Sequence, residues 1–543
     1  MYNKLYQEWK NSISKQEDLK EELLAIENDE IAIQDRFYKE LEFGTGGLRG
    51  KLGAGTARMN VFTVAKVTKG IVEYINKSLD KKTVVIAYDS RNYSDVFSSV
   101  IASIFSKANI KTYVFKELMP TPILSYAVRQ LNAGIGIVVT ASHNPSAYNG
   151  YKVYGSDGCQ LTDKGAGLIY KEIQTIKYDF NEDFSLDKVN YVKEDVLESF
   201  YTKVLSAVES SREEKSLSLV YTPLNGAGNK PVREILKRRG YSVKVVKEQE
   251  LPDGNFPTCP YPNPEEREAL TLGLKEAKNL NADLLLATDP DCDRVGIAVK
   301  DNGEYKLLSG NEVGILLLNY LFETWRKEKG NLEDKYIVKT IVSSNMAMPI
   351  CAKYKVEVKE VLTGFKYIGE QIGLNSEDFL LGYEESYGYL CHTYSRDKDA
   401  VGASLIIVEM ANYYMGLGLT LVDKLDELYK EFGYYQTALQ SITHEGASGA
   451  IKIKADVDRV RNDDFSTILT YNNIKKRDFL LDDILPVKAN VIELSNSEFT
   501  LLFRPSGTEP KMKIYYLAKG KDIANAKNII NDLKEYFSKY FNL

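Results

Sequence analysis

"AGIGIVVTASHNPSAYNGYK", residues 133–152, changes character halfway. Up to Thr140 it is a continuous apolar run of strand length, the pattern of a strand buried on both faces. After Thr140 it turns polar, with an Asn-Pro turn signal at Asn144–Pro145. Ser142 and His143 stand side by side there, and Lys152 follows ten residues after the serine. A fully buried strand that ends in a polar loop belongs to a sheet covered by helices. In such sheets ligands bind beyond the carboxyl ends of the strands.

The same rhythm extends in both directions. Upstream, "TVVIAYDSR" (83–91) reads as a strand ending in a polar loop, "DVFSSVIASIFSKANI" as a helix and "IKTYVF" as a second strand. The pattern restarts at "SLSLVYTPLNGAG" (216–228), with a helix "KPVREILKRRG", a strand "YSVKVV", a helix near 265–280 and the strand "ADLLLAT". It restarts again at "KYIVKTIVSSN" (335–345), followed by a helix, "KVEVKEV" and "DFLLGYEES". This periodicity predicts a triplicated α/β unit with mostly parallel sheets. From about residue 440 the character differs. "GAIKIKA", "NVIELSNSEFTLLFRPSG" and "MKIYYLAKG" read as antiparallel strands and "DIANAKNIINDLKEYFSKYF" as a closing helix. The expected division is an N-terminal helical extension over 1–40, α/β domains over 41–205, 206–322 and 323–440, and a smaller α+β domain over 441–543.

Bulk properties exclude several classes. A chain of 543 residues exceeds one core and predicts several domains. A net charge of −6 argues against nucleic acid as the main partner. No run of about 18 apolar residues predicts a membrane span, and the polar start has no signal-peptide apolar region. The five cysteines are scattered without a CxxC pair, so neither a disulfide framework nor a zinc site is expected. The cytosol is the expected compartment.

Four loops carry chemistry-bearing residues. In "DPDCDRVG" (289–296), Asp289, Asp291 and Asp293 crowd three carboxylates after a strand. A cation relieves their repulsion, and all-oxygen ligation suits Mg²⁺. An EF-hand does not fit, because Arg294 and Lys300 stand where Gly and Glu are needed. A solvated acidic turn is the competing reading. In "GYEESYG" (382–388), Glu384, Glu385 and Ser386 could hydrogen-bond sugar hydroxyls, or form a plain surface turn. In "FRPSGTEPK" (503–511), Arg504, Ser506 and Thr508 surround Gly507, which makes a phosphate cup or a simple hairpin turn. "FGTGGLRG" (43–50) sets Arg49 behind glycines and does not fit GxGxxG. The frame around Ser142 is not the nucleophile elbow of a serine hydrolase. A serine that accepts a phosphoryl group fits better. Such a serine needs a metal, counter-charge and a proton acceptor, which the Asp triad, Arg49, and Lys152 or His143 could supply.

Taken together, the chain resembles the α-D-phosphohexomutase superfamily. "TASHNP" is similar to its phosphoserine loop, "DPDCDR" to its metal loop, "GYEESYG" to its sugar-binding loop and "RPSGTEP" to its phosphate-binding loop, in the family's order across residues 40 to 520. "FGTGGLRG…RMN" and "ASHNPSAYNGYKVYGSDGCQL" resemble the phosphoglucomutase/phosphopentomutase branch. The resemblance implies three similar mixed α/β domains plus a smaller C-terminal α+β domain around a central cleft. It implies that Ser142 carries the phosphoryl group and that Asp289, Asp291 and Asp293 bind Mg²⁺ together with it. Lys152 would be general base with His143 nearby, and Arg49 and Arg294 would steady the transferring group. Glu384 and Ser386 would hold sugar hydroxyls, and Thr363 and Gly364 in "LTGFKYIG" would contact the sugar. Lys398 in "SRDKDA" would meet a phosphate, and Arg504, Ser506, Gly507 and Thr508 would grip the phosphate that is not reacting. Cys292, inside the metal loop, would make the site oxidation-sensitive if exposed.

The implied activity is interconversion of α-D-glucose 1-phosphate and glucose 6-phosphate, with glucose 1,6-bisphosphate as intermediate and activator. The partner is a small phosphosugar. Mannose or pentose specificity, bisphosphate synthesis and a phosphoserine-dependent phosphatase are the alternatives. A sugar-phosphate-binding protein without turnover is the non-enzymatic one.

Overall fold

The computed structural model describes residues 2–44, 46–208, 214–444, 446–506 and 510–543. The chain forms two compact units, one of Met1–Gly310 with Phe365–Thr420 and one of Asn311–Gly364 with Leu421–Leu543.

The first unit contains two mixed sheets. In one, the strands run in the order Gly47–Lys51, Tyr148–Gly155, Ile135–Val139, Thr83–Tyr88, Lys111–Val114, Asn190–Tyr191. The last four lie parallel, whereas Tyr148–Gly155 runs antiparallel to both of its neighbours. In the other, the order is Glu304–Leu308, Val295–Asp301, Leu284–Thr288, Leu219–Thr222, Val243–Val245. Val295–Asp301 is again antiparallel to the strand before it. The apolar runs read as buried strands are buried throughout, at Ile135–Val139 and at Leu284–Thr288.

The expectation of mostly parallel sheets needs correcting at these points. The polar loops after Ile135–Val139 and Leu284–Thr288 turn straight back into an antiparallel partner instead of leading to a crossover helix. Phe379–Tyr383 with Tyr389–Leu390 repeats the arrangement in the third segment. A loop this short can only return beside its own strand, since a parallel connection needs a dozen or more residues.

The N-terminal helices Tyr2–Ser12, Glu17–Ala25 and Glu30–Phe37 share one core with the first sheet. Trp9 makes edge contacts with Phe37, Phe62, Tyr178 and Phe180. Helix Val61–Ser78 begins with a capping box. The Asn60 side chain accepts from the Phe62 and Thr63 amides, and the Thr63 hydroxyl accepts from the Asn60 amide.

In the second unit, Tyr336–Thr340 pairs in parallel with Glu357–Val361. The C-terminal sheet is antiparallel, in the order Tyr434–Thr443, Lys511–Gly520, Phe499–Pro505, Ile492–Ser495, Lys475–Asp478. Helix Ile523–Tyr540 covers it with Ile529, Leu533 and Phe537 against Leu501, Phe503 and Tyr516. "GAIKIKA" is not a strand and lies in helix Gly446–Asn462. Its Ile-Lys alternation mimics a period of two. The residues that bury are Ile453, Val457 and Val460, at helical spacing, while Ile451 is 71% exposed. Among the described residues no single helix is long and apolar enough to cross a membrane.

Candidate active site

In the first unit, two hairpin loops meet at Ser142. The serine is buried and has a left-handed backbone, φ 52°. Its Oγ donates to Asp289 Oδ2 at 2.8 Å and stands 3.3 Å from His143 Nδ1. Its amide donates to Thr140 Oγ1 at 2.8 Å. The metal-type loop is organised by its own first carboxylate, since Asp289 Oδ1 accepts from the amides of Asp293 and Arg294 at 3.1 and 3.0 Å. Asp291 Oδ2 accepts from Thr121 Oγ1 at 2.9 Å and from Lys152 Nζ at 2.8 Å. Asp293 Oδ2 lies 3.3 Å from Lys152 Nζ and 3.2 Å from Lys398 Nζ.

The chemistry of this donor set fits a hard divalent cation. All three aspartates are buried, and one oxygen from each lies within 4.8 Å of the others. Asp291 Oδ1 and Asp293 Oδ1 are buried with no hydrogen-bond donor among the described residues. Buried anionic oxygens are costly unless paired or bound to a metal. The electrostatics carry the same signature. Burial, together with Asp291 and Asp293, pushes the Asp289 carboxyl well above its usual range. Burial would raise Asp293 too, but the Lys398 and Lys152 ammonium groups outweigh it and hold that carboxyl low. Burial alone would lower Lys152, but Asp291 and Asp293 keep it above its ordinary value. Burial, with Arg294 and Arg49 close by, holds the His143 imidazole well below its usual value.

Arginines flank the pair of loops. Arg49, on strand Gly47–Lys51, donates from Nη1 to Asn144 Oδ1 at 3.0 Å. That strand can lie against Tyr148–Gly155 because Gly47 has no side chain; a Cβ there would come within 2.2 Å of the Tyr151 carbonyl oxygen. Arg294 Nη1 donates to Glu265 Oε1 at 2.9 Å. Glu384 opens the turn after Phe379–Tyr383, is buried, and its amide donates to the Gly388 carbonyl at 2.9 Å. Its charge acts on both Arg294 and Lys398. Ser386 is half-buried in the same turn. Gly388 gives Lys398 its path, as a Cβ there would meet the Lys398 chain at 2.2 Å.

The other expected residues belong to the second unit. Thr363 and Gly364 follow strand Glu357–Val361, and Gly364 has φ 120°. Arg504 and Ser506 lie at the turn between Phe499–Pro505 and Lys511–Gly520, closed by the Ser506 amide donating to the Lys511 carbonyl at 2.7 Å. Gly507 and Thr508 lie outside the described residues.

Three family models match the chain as phosphoglucomutase/phosphomannomutase α/β/α domains I, II and III, over residues 40–180, 197–303 and 309–432. A phosphoglucomutase of Staphylococcus saprophyticus is 35% identical over 512 residues, covering 90% of this chain and 92% of its own. One from Staphylococcus aureus strain MRSA252 is 35% identical over 525 residues, covering 93% and 94%. The chain belongs to the α-D-phosphohexomutase superfamily. Among solved structures, the open form of the phosphoprotein pp63/parafusin, a phosphoglucomutase from Paramecium, has a TM-score of 0.70 at 19% identity, covering 93% of this chain and 96% of its own. A phosphoglucomutase/phosphomannomutase family protein from Burkholderia thailandensis has a TM-score of 0.68 at 17% identity, covering 92% and 97%. As a phosphohexomutase, the protein is an isomerase that works by phosphoryl transfer in carbohydrate metabolism.

Sequence reasoning about this phosphohexomutase missed four residues of the site. Thr121 bonds Asp291, Glu265 pairs with Arg294, and Asp397 accepts from Tyr154 Oη at 2.7 Å and from Lys398 Nζ at 3.1 Å. The fourth, Arg91, donates to the serine loop's backbone. Only Arg91 had a usable signal, since "DSR" stands at the carboxyl end of a buried strand, where the other loops were sought. Cys292 is fully buried, and burial pushes its thiol well up, so the exposure that oxidation would require is absent.

Proposed function

We propose that the protein interconverts α-D-glucose 1-phosphate and glucose 6-phosphate through a phosphoserine at Ser142 and a glucose 1,6-bisphosphate intermediate. The observation that carries this reading is the Ser142 hydroxyl 2.8 Å from the first carboxylate of a buried aspartate triad. A buried serine bonded to the first carboxylate of that triad has little use as a hydroxyl. It has a clear use as a phosphoryl carrier beside a cation.

Asp289, Asp291 and Asp293, with Ser142, would hold Mg²⁺, which neutralises charge on the phosphoryl group in transit. The chain's own residues do the remaining work. Arg49 and Arg294 set fixed positive charge on the side of the loops where the phosphoryl group moves. Lys152 is assigned as proton acceptor for the attacking sugar hydroxyl. It is an ammonium held on two carboxylates in the form described here, so this role requires that proton to leave. His143 is the second candidate, supported by its Nδ1 lying 3.3 Å from the Ser142 hydroxyl. Glu384 and Ser386 would take ring hydroxyls in either orientation of the sugar, and Lys398 a phosphate oxygen. In the second unit, Thr363 and Gly364 are assigned a sugar contact. Arg504, Ser506, Gly507 and Thr508 are assigned the grip on the phosphate that is not reacting.

The test is an assay panel of glucose, mannose and ribose 1-phosphates with Mg²⁺ and a trace of the matching bisphosphate. Isomerisation of the glucose ester, with phosphate mapped to Ser142, is expected. Faster turnover of the mannose or ribose ester reassigns the substrate. Release of inorganic phosphate at the rate of isomer formation points to the phosphatase, and accumulation of bisphosphate to the synthase.

A further inference from the structure

The Arg91 guanidinium is buried, and its donors are spent almost entirely on one loop. Nη1 donates to the carbonyls of Pro145 at 2.9 Å and Tyr148 at 3.1 Å. Nη2 donates to the carbonyls of Ser142 and Asn144. Four of its five N–H groups therefore hold carbonyls between residues 142 and 148, and Nε faces Asp89 Oδ2 at 3.4 Å. The Asp89 carboxylate is anchored in turn by the Arg91 amide at 3.0 Å and Ser94 Oγ at 2.8 Å.

The guanidinium lies over the Phe256 ring, with Cζ 5.0 Å from the ring centroid. Phe256 belongs to the segment 251–266, which is locked against the Arg91 turn. Asn92 Nδ2 donates to Asn255 Oδ1 at 2.9 Å, and Gly254 sits where a Cβ would be 2.4 Å from the Asn92 amide. The same segment supplies Glu265 to Arg294. One connection from the second sheet thus contacts both Arg91, which holds the serine loop, and Arg294 of the metal-type loop.

We infer that Arg91, seated by Phe256, is the positioning residue that holds Ser142 in its left-handed conformation with Oγ aimed at the aspartate triad. A left-handed non-glycine residue is strained and persists only where its surroundings over-determine it. The Ser142 carbonyl and three carbonyls after it, all bound to one rigid planar fork, supply that constraint. A lysine cannot substitute, because one ammonium with three donors does not span four carbonyls.

This inference rests on Ser142 being the phosphoryl carrier, so the experiment separates the two. Arg91→Lys and Phe256→Leu are compared with wild type for kcat and KM on glucose 1-phosphate, for thermal midpoint, and for phosphate on Ser142 by mass spectrometry after turnover. Misplacing a reacting group by about 1 Å costs about 100-fold. Arg91→Lys is therefore expected to lower kcat about 10- to 100-fold with KM within roughly threefold of wild type. Phe256→Leu is expected to lower kcat several-fold in the same way, and it decides the matter if Arg91→Lys does not fold. Wild type without phosphate on Ser142 overturns the underlying reading. Wild type with phosphate on Ser142, alongside folded variants whose kcat is unchanged even where their thermal midpoints fall, overturns the role of Arg91 alone.

Discussion

The serine loop and the metal-type loop stand at the same place in two sheets and are held by different means. Each is the turn of an antiparallel hairpin after a fully buried strand. Each contains one non-glycine residue in the left-handed region, Ser142 and Cys292, both at φ 52°. The metal-type loop is short and clamps itself, with Asp289 Oδ1 accepting two amides while Oδ2 faces Ser142. It also leans on its surroundings through backbone. The Thr121 amide donates to the Asp291 carbonyl at 2.9 Å, and the Ala400 amide to the Cys292 carbonyl at 3.3 Å. The longer serine loop has no carboxylate of its own, and the charged fork of Arg91 holds it from outside. A loop that presents carboxylates can use one of them as its clamp. A loop that presents a hydroxyl needs a clamp from elsewhere.

The largest effect should come from removing what the serine loop presents. Ser142→Ala is expected to lower kcat by about 10⁴-fold or more and to abolish phosphate incorporation, read by steady-state assay and mass spectrometry. Retained activity would break the comparison at its root. Next, Asp291→Asn removes a carboxylate without touching the self-clamp of Asp289. Turnover should fall by about 100-fold or more, and chelation of wild type should abolish it reversibly, with Mg²⁺ restoring the rate.

Smaller effects probe the supports. Thr121→Val deletes the hydrogen bond to Asp291, and an activity loss of about tenfold with a raised Mg²⁺ requirement is expected. The smallest concerns Asp399, whose side chain caps helix Ala400–Gly416 beneath the metal-type loop. Burial pushes its carboxyl up to about 6. A raised carboxyl binds its proton more tightly folded than unfolded. Its contribution to stability is therefore present at acid pH and lost as pH rises through about 6. Between pH 5 and pH 7 that loss is about 1 kcal/mol. Asp399→Asn, which keeps the cap, should flatten this part of the thermal midpoint profile, and an unchanged profile would remove Asp399 as its source.

Most of the strands of the repeated units were legible because burial on both faces writes itself as an apolar run, as at 135–139 and 284–288. The helix at Gly446–Asn462 was not, because alternating Ile and Lys satisfied the strand period while the burying residues lay further along. The direction of the strands after the site loops was also hidden. A polar turn looks alike whether the chain crosses over or comes straight back. In the site, residues that concentrate unusual chemistry, Ser142 with His143 and the Asp289 triad, stood out on composition. Thr121 and Glu265 did not, since a threonine opening a helix and a glutamate in a long loop are ordinary until their partners are known.

By itself, the sequence determined that this is a repeated α/β protein and the family to which it belongs. Those facts reside in local pattern and in motif order. Tertiary structure alone decided that Ser142 faces Asp289, that Lys152 and Lys398 neutralise Asp293, and that Arg91 and Phe256 underlie the serine loop. Each joins residues from different hairpins and connections. Such pairings are fixed by how the strands stack and return, which no local window of residues records.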